Sequence, residues 1–445
     1  MITGTALPDD EAREKARDEA FVAQIKSIHI SFPNGKVNCP YAASFDAETL
    51  LPEVADVRFE GLEAIGLQYD TEQKQIKGLP SRSGDHKITL QCKRKDRPGE
   101  KPPIQKALTI IINPNPRSLW NKFATPLEIE YYKPDEDKEF VKVKSKIMTR
   151  FLGLSKTEEK RKDMVAASQR GRSHAHEGRP RDDDFALHFD ESTEWYTMVV
   201  ADGAGSAKFS RRGSQIACQT VIEICKTLIP EQIDKFEKTI ALFEKEKSQE
   251  HRNEVGKILY GIIGNAAFKA YKSIEREAAS KGNPMKDYAT TLLLSICKKF
   301  DFGWFIGAFW VGDGGIGVYR TEPPFLKIMG EPDGGEFAGQ TRFLTMPEIM
   351  QATEIYRRLR FDIYPDFTAL VLMTDGVTDP KFETDANLSR IEKWHALWED
   401  LNGNNEDHAR VDFTDDNEEA AGQLLKWLDF WSKGNHDDRT IAILF

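Results

Sequence analysis

Residues 198–201 form a short apolar run that ends on Asp202, and Gly203, Ala204, Gly205 and Ser206 follow as a turn of small residues. Beyond the turn, Ile216, Ala217, Thr220, Val221, Ile224 and Leu228 recur every three or four positions, which predicts an amphipathic helix. A strand therefore delivers a carboxylate to an edge and a helix carries the chain away. The same pattern returns at residues 369–376, where an apolar run ends on Asp375-Gly376, and at residues 309–315, where it ends on Gly312-Asp313-Gly314. Near the C-terminus the order is reversed: Asp437 and Asp438 stand just before the apolar run 441–445. Taken singly, Asp-Gly after a strand is a turn signal, because Asp tolerates turn geometry and Gly supplies positive φ. Four strands that each bring an aspartate to one end point instead to a centre for hard divalent cations, which prefer carboxylate oxygens and water.

Together, in this order, these segments resemble the metal-dependent serine/threonine protein phosphatases of type 2C, in particular the bacterial branch whose turn reads Asp-Gly-Ala-Gly-Ser. The resemblance covers about residues 164–445. It implies an α+β fold, a four-layer α-β-β-α sandwich of two antiparallel sheets flanked by helices. It further implies hydrolysis of phosphoserine or phosphothreonine in a protein substrate by a metal-activated water, with two Mg2+ or Mn2+ ions and a weaker third. On that pattern Asp202 bridges the ions, the Gly203 carbonyl completes one shell, and Asp183, Asp375 and Asp437 hold the other. Asp313 serves the third ion. Asp183 is aligned on Phe185 within Asp182-Asp183-Asp184, and Asp182 takes the neighbouring acidic position.

Two departures from the family pattern bear on mechanism. Where eukaryotic members carry a histidine after the first Asp-Gly, this chain has Ala204. The phosphate-binding arginine expected shortly before the first acidic pair corresponds best to Arg179, with Arg172, Arg181 and His174 as competitors; a guanidinium suits phosphate because its donors form a planar fork. No nucleophilic cysteine motif is present. Alternative readings are a regulatory or binding protein of the same fold with weak turnover, and a phosphatase of small phosphoesters.

The elements needed to hold such a site are legible. Residues 164–168 read as a first strand, and residues 289–296, 303–310 and 315–320 as consecutive strands joined by short turns, favouring antiparallel pairing. The apolar positions from Val255 to Ile274 keep a helical period. A Gly-rich stretch at residues 312–317 is followed by a strand pattern, so it fails the context of a dinucleotide fingerprint. A last helix is predicted over residues 418–431, and residues 335–344 resemble the segment flanking the family's active site.

A chain of 445 residues is long for a single core. Short β-like runs at residues 25–32, 54–59, 86–92 and 107–112 predict an all-β module. Gly66-Leu67-Gln68-Tyr69-Asp70, Ile76-Lys77-Gly78-Leu79-Pro80 and Gly84 resemble an immunoglobulin-like sandwich, with His86 in place of the last aromatic. The expected division is an N-terminal charged segment (1–22), the sandwich (23–116, closed by Asn113-Pro114-Asn115-Pro116), a linker (117–163) and the phosphatase-like domain (164–445). Residues 120–132 are expected to pack on the last of these, and residues 156–162 to form a solvated helix face. The β module is a candidate surface for a partner protein.

The net charge of −10 argues against nonspecific nucleic-acid or anionic-membrane binding. No run approaches the roughly 20 apolar residues of a membrane span, and the first twenty residues lack the apolar centre of a signal peptide. Five cysteines without a Cys-x-x-Cys spacing fit buried thiols, and a cytoplasmic location is expected.

Overall fold

A computed structural model describes residues 8–50, 52–96, 102–131, 138–143, 162–333, 341–415 and 417–445. Expectations for residues 1–7, Tyr132, residues 156–161 and residues 335–340 lie outside the described residues. The chain divides into two compact units, Met1–Trp120 and Asn121–Phe445.

The first unit opens with helix α1 (Pro8–Ser27), followed by β1 (Gly35–Lys36), β2 (Tyr41–Ser44), α2 (Ala47–Leu50), β3 (Val54–Glu60), β4 (Leu67–Asp70), β5 (Gln75–Gly78), β6 (Gly84–Arg94) and β7 (Ile104–Asn113). Two sheets form, in the orders β1-β7-β6-β3 and β2-β5-β4. Along β7 burial alternates, with Leu108, Ile110 and Ile112 inside, which is the two-residue period of a strand with one wet face. The expected strand at residues 25–32 does not form. Phe21 and Ile25, four residues apart, share one face of α1 and bury it in this unit's core, so the helix runs on to Ser27. Cys39 and Cys92 are free thiols.

The second unit contains β8 (Lys138–Val143), β9 (Met164–Gln169), α3 (Arg172–Glu177), β10 (Asp184–Phe189), β11 (Tyr196–Ala201), α4 (Ser210–Glu246), α5 (Gln249–Leu259) and α6 (Asn265–Lys281). One π-helical turn (Tyr260–Gly264) joins α5 to α6. Then come β12 (Leu292–Phe300), β13 (Gly303–Val311), β14 (Gly315–Arg320), β15 (Phe325–Gly330), α7 (Ala352–Arg357), β16 (Leu359–Tyr364), β17 (Ala369–Met373), α8 (Asp375–Phe382), α9 (Ile391–Leu401), α10 (Ala420–Leu428) and β18 (Arg439–Leu444). The strands make a five-stranded sheet, β10-β11-β12-β13-β16, and a six-stranded sheet, β15-β14-β17-β18-β9-β8, with every pairing antiparallel. Short turns permit this, and neighbouring strands consequently end and begin at the same edge.

Three apolar clusters hold the unit together. Met198, Val200, Leu293, Ile306 and Trp310 from the five-stranded sheet meet Ile316, Leu370, Leu372 and Ala442 from the six-stranded one. The other face of the first sheet takes Ile216, Val221, Ile258 and Ile274 from α4, α5 and α6, and that of the second takes Val377, Trp394, Leu397 and Leu424 from α8, α9 and α10. The unit is thus mixed α+β. Strands β11 and β17, covered on both faces, are buried throughout, which is why they read as unbroken apolar runs. Among the described residues no helix is long and apolar enough to cross a membrane.

Candidate active site

Antiparallel pairing explains how aspartates far apart in sequence come to one edge. Asp184 pairs with Ala201, so Asp182 and Asp183, just before β10, lie beside Asp202, just after β11. Met373 pairs with Ile441, which brings Asp375, just after β17, to the side from which Asp437 and Asp438 lead into β18. Gly315 pairs with Met373, so Asp313 belongs to the same edge.

The carboxylates of Asp202, Asp313 and Asp375 each offer an oxygen within 4.8 Å of the others. Asp313, expected to serve a third ion, thus stands beside Asp202 and Asp375. Asp183 is buried beside them: its Oδ2 accepts hydrogen bonds from Thr374 Oγ1 (3.0 Å) and Thr440 Oγ1 (2.6 Å). Its Oδ1 and the Oδ1 of Asp375 are buried without a hydrogen-bond partner. Burial, then the charge of Asp438 and Asp375, holds the Asp183 carboxyl well above the usual range; burial, then Asp375, Asp183 and Asp313, does the same to Asp202. Asp375 is pushed up to about 7 by burial and by Asp313. A set of acids that oppose one another's ionisation, with buried oxygens left unpaired, fits hard cations, which would satisfy both the charge and the lone pairs.

The glycines of the Asp-Gly pairs serve a purpose other than the expected turn. Neither Gly203 nor Gly376 has positive φ. A Cβ on Gly203 would lie 2.5 Å from the carbonyl oxygen of Asp182, and one on Gly376 would lie 1.8 Å from that of Asp438. Each glycine admits the backbone of the opposing acidic segment. The Asp202 peptide is held from the other side by Thr290 and Thr291: Thr290 Oγ1 and Thr291 N donate to its carbonyl (2.9 and 2.8 Å), and its own N donates to Thr291 Oγ1 (2.9 Å). Residues 289–291, expected to begin a strand, anchor this turn instead, and β12 starts at Leu292.

Beside the acids stands a buried brace. Asp438 accepts from Gly171 N (2.6 Å), Asp182 N (2.5 Å) and His174 Nδ1 (3.1 Å). His174 Nε2 lies 3.5 Å from Asp437 Oδ1, and the side chain is 5% exposed. Burial opposes protonation of His174, but Asp438, then Asp182 and Asp437, override it and push the ring up to about 9. Burial likewise opposes ionisation of Asp438, yet His174 and the two backbone donors bring it below the usual carboxylate range. As arranged, His174, expected to meet phosphate, locks two acidic segments together, with its ring nitrogens turned to protein acceptors.

Among the arginines, Arg179 faces the acids. Its Nη2 donates to the Gly205 carbonyl (2.6 Å) and lies 3.5 Å from Asp182 Oδ2, while the side chain stays 37% exposed. Arg211, at the start of α4, approaches the other oxygen of Asp182 (3.4 Å). Arg172 is taken up by Asp429 and the Phe430 carbonyl, and buried Arg181 by the Ser168 carbonyl (3.1 Å). Sequence reasoning missed Thr374, Thr440, Asp438 as a brace, and Arg211; of these only Asp438, adjacent to a predicted ligand, carried a signal.

The family described as Protein phosphatase 2C matches residues 170–428. That span is more than half of the chain, and the chain belongs to this family. Asp437, Asp438 and β18 lie beyond it, yet β18 pairs with β17 and β9 in the six-stranded sheet. No curated protein matches the sequence. Among solved structures, the catalytic domain of the serine/threonine protein phosphatase PstP in complex with two manganese ions is 14% identical, covering 63% of this chain and 96% of that one, with a TM-score of 0.37. PppA, a regulatory component of the type VI secretion system in Pseudomonas aeruginosa, is 14% identical over 64% of this chain and 99% of its own, with a TM-score of 0.38. RsbX in complex with magnesium is 12% identical over 65% and 98%, with a TM-score of 0.32.

Proposed function

We propose that this chain is a metal-dependent phosphatase that hydrolyses phosphoserine and phosphothreonine in proteins. The observation that carries the reading is the pair of buried carboxylate oxygens, on Asp183 and Asp375, left without a partner inside a cluster of mutually repelling acids. Asp183, Asp202, Asp375 and Asp437, with the Gly203 carbonyl, would hold two divalent cations, and Asp313 joins them for a third. Such ions, when bound, lower the pKa of water and neutralise phosphoryl oxygens. The remaining roles belong to the chain. Arg179 presents its fork to the phosphoryl group, and Asp182 orients that guanidinium from behind. Water displaces the seryl or threonyl oxygen at phosphorus: its oxygen bonds to phosphorus as the ester P–O bond breaks, and the proton it sheds balances the one the departing alcohol takes up, since Ala204 has none to give.

A phosphoenzyme through cysteine finds no support. Cys218 and Cys225 are buried in α4 and Cys297 in β12, and burial pushes the Cys225 thiol up to about 12. We read the second unit as a four-layer α-β-β-α sandwich of the Asp-Gly-Ala-Gly-Ser branch, since helices cover the outer faces of two facing sheets. The first unit, two small sheets around one core, is read as an immunoglobulin-like module for a partner protein in a cytoplasmic setting.

The test is hydrolysis of p-nitrophenyl phosphate and of a phosphothreonine peptide by the purified chain, titrated with Mn2+, Mg2+ and chelator. Turnover that rises with the metal and vanishes with chelator is expected, as is its loss in Asp202→Asn. Turnover indifferent to chelator would overturn the assignment.

A further inference from the structure

Residues 121–131 begin the second unit and, although they hold no regular helix or strand, are tied down at both ends. Asn121 N donates to His176 Nδ1 (3.0 Å) and Phe123 N to the Ala175 carbonyl (2.9 Å). Thr125, 7% exposed, accepts from Arg170 Nη1 (2.6 Å) and lies 3.4 Å from the Arg179 carbonyl. Arg170 reaches the same Arg179 carbonyl (3.2 Å) and, through Nη2, the Phe123 carbonyl (2.9 Å). Further along, the Glu130 carbonyl accepts from Arg211 Nε (3.1 Å), and the Tyr131 ring packs edge-on against Phe209, just before α4 (5.6 Å between centroids).

Both arginines that approach Asp182 are therefore gripped from this segment, one through its carbonyl and the other through its guanidinium. Fixing the peptide that bears a phosphate-contacting fork sets where the fork points, and small displacements in a catalytic geometry are costly in rate. Resting on the phosphatase reading above, we infer that residues 121–131 form a positioning strap. Thr125 and Arg170 hold Arg179, and the Glu130 carbonyl holds Arg211, so that the two guanidiniums flank Asp182 and the substrate phosphoryl group meets Arg179 in a set orientation. Thr125 is a positioning residue that touches neither the acids nor the substrate.

The test uses the full chain with Thr125→Val, which keeps shape and removes the hydroxyl, and Thr125→Ser, which restores it. The expected result is a fall in kcat/KM of about tenfold for Thr125→Val, recovery in Thr125→Ser, an unchanged Mn2+ concentration for half-maximal activity, and no further fall when Thr125→Val is added to Arg179→Ala. Wild-type kcat/KM in Thr125→Val, or losses that multiply with those of Arg179→Ala, would overturn the strap. If Thr125→Val does not fold, Arg170→Lys tests the same link from its other side, with the same expected fall and the same overturning result. Calorimetric binding of inorganic phosphate in the presence of Mn2+ separates the two hypotheses. If the wild type turns over no phosphoester, the phosphatase reading fails by itself, and the strap then stands or falls on whether Thr125→Val weakens phosphate binding. Equal binding, or none in the wild type, overturns it.

Discussion

Asp375→Asn offers the sharpest separation of stability from function. In the folded chain burial and Asp313 lift this carboxyl from 3.8 to about 7, a gap of about 4 kcal/mol at 1.36 kcal/mol per pH unit. The sign follows from proton counting: between pH 4 and 7 the folded chain binds more protons here than the unfolded one, so stability falls as pH rises through that window and the full cost is present above pH 7. Asparagine keeps the shape and removes the charge. Asp375 also begins α8, where a carboxylate at a helix N-terminus contributes about 0.5 kcal/mol that asparagine forgoes. In chelator at pH 8 the variant should therefore be more stable than wild type by about 3 kcal/mol, or roughly 6 °C in Tm for a unit of this size. At pH 5 the advantage should shrink to less than half. Saturating Mn2+ should reverse the order, raising wild-type Tm far more than the variant's. Differential scanning fluorimetry across pH 5–8, with chelator and with Mn2+, reads all of this. A variant no more stable than wild type in chelator at pH 8, or an advantage independent of pH, would refute the reasoning.

Gly376→Ala should cost activity heavily, because its Cβ would fall 1.8 Å from the Asp438 carbonyl and push the two acidic segments apart; weakened Mn2+ binding by calorimetry is the expected companion. Arg179→Ala should raise KM for a phosphopeptide by about tenfold or more while leaving Tm within about 2 °C, since the lost pairing is partly exposed. His174→Ala should destabilise the chain at neutral pH by up to about 3 kcal/mol, from a ring lifted from 6.5 to about 9 and an Asp438 left buried and unpaired. The raised histidine contributes stability below pH 6.5 that is lost through about pH 9, and the lowered Asp438 contributes stability lost as pH falls below 4. Tm profiles of wild type and variant should accordingly converge at both extremes.

What could be read from the sequence was whatever repeats locally. Buried strands announced themselves as unbroken apolar runs ending on Asp202 and Asp375, and α4 by its three-to-four spacing, because burial on two faces and on one stripe leave distinct periods. The strand expected at residues 25–32 failed for a tertiary reason: Ile25 and Phe21 serve one face of α1, and β-branched residues do not prevent a helix when a core is there to receive it. The threonines that grip Asp183 lie 191 and 257 residues away, and no local pattern marks a hydroxyl for such use. His174 carried the residue type of a phosphate ligand, but only the fold reveals that Asp438 and the Pro180 carbonyl claim its Nδ1. The glycines of the Asp-Gly pairs carry a local turn signal, but what requires them is main-chain proximity, which only the fold reveals, and not backbone angle.

The acids come from both sheets: Asp183 and Asp202 flank strands of the five-stranded one, while Asp375 and Asp437 flank strands of the six-stranded one. The apolar layer between the sheets therefore ends, at this rim, in a seam of like charge. Whatever neutralises that seam also rivets one half of the unit to the other. Loading the site with cations would thus be a mechanical event as much as a chemical one, and in chelator the strands should fray from this rim inward, with backbone amides near Asp202 and Asp375 exchanging faster than in Mn2+.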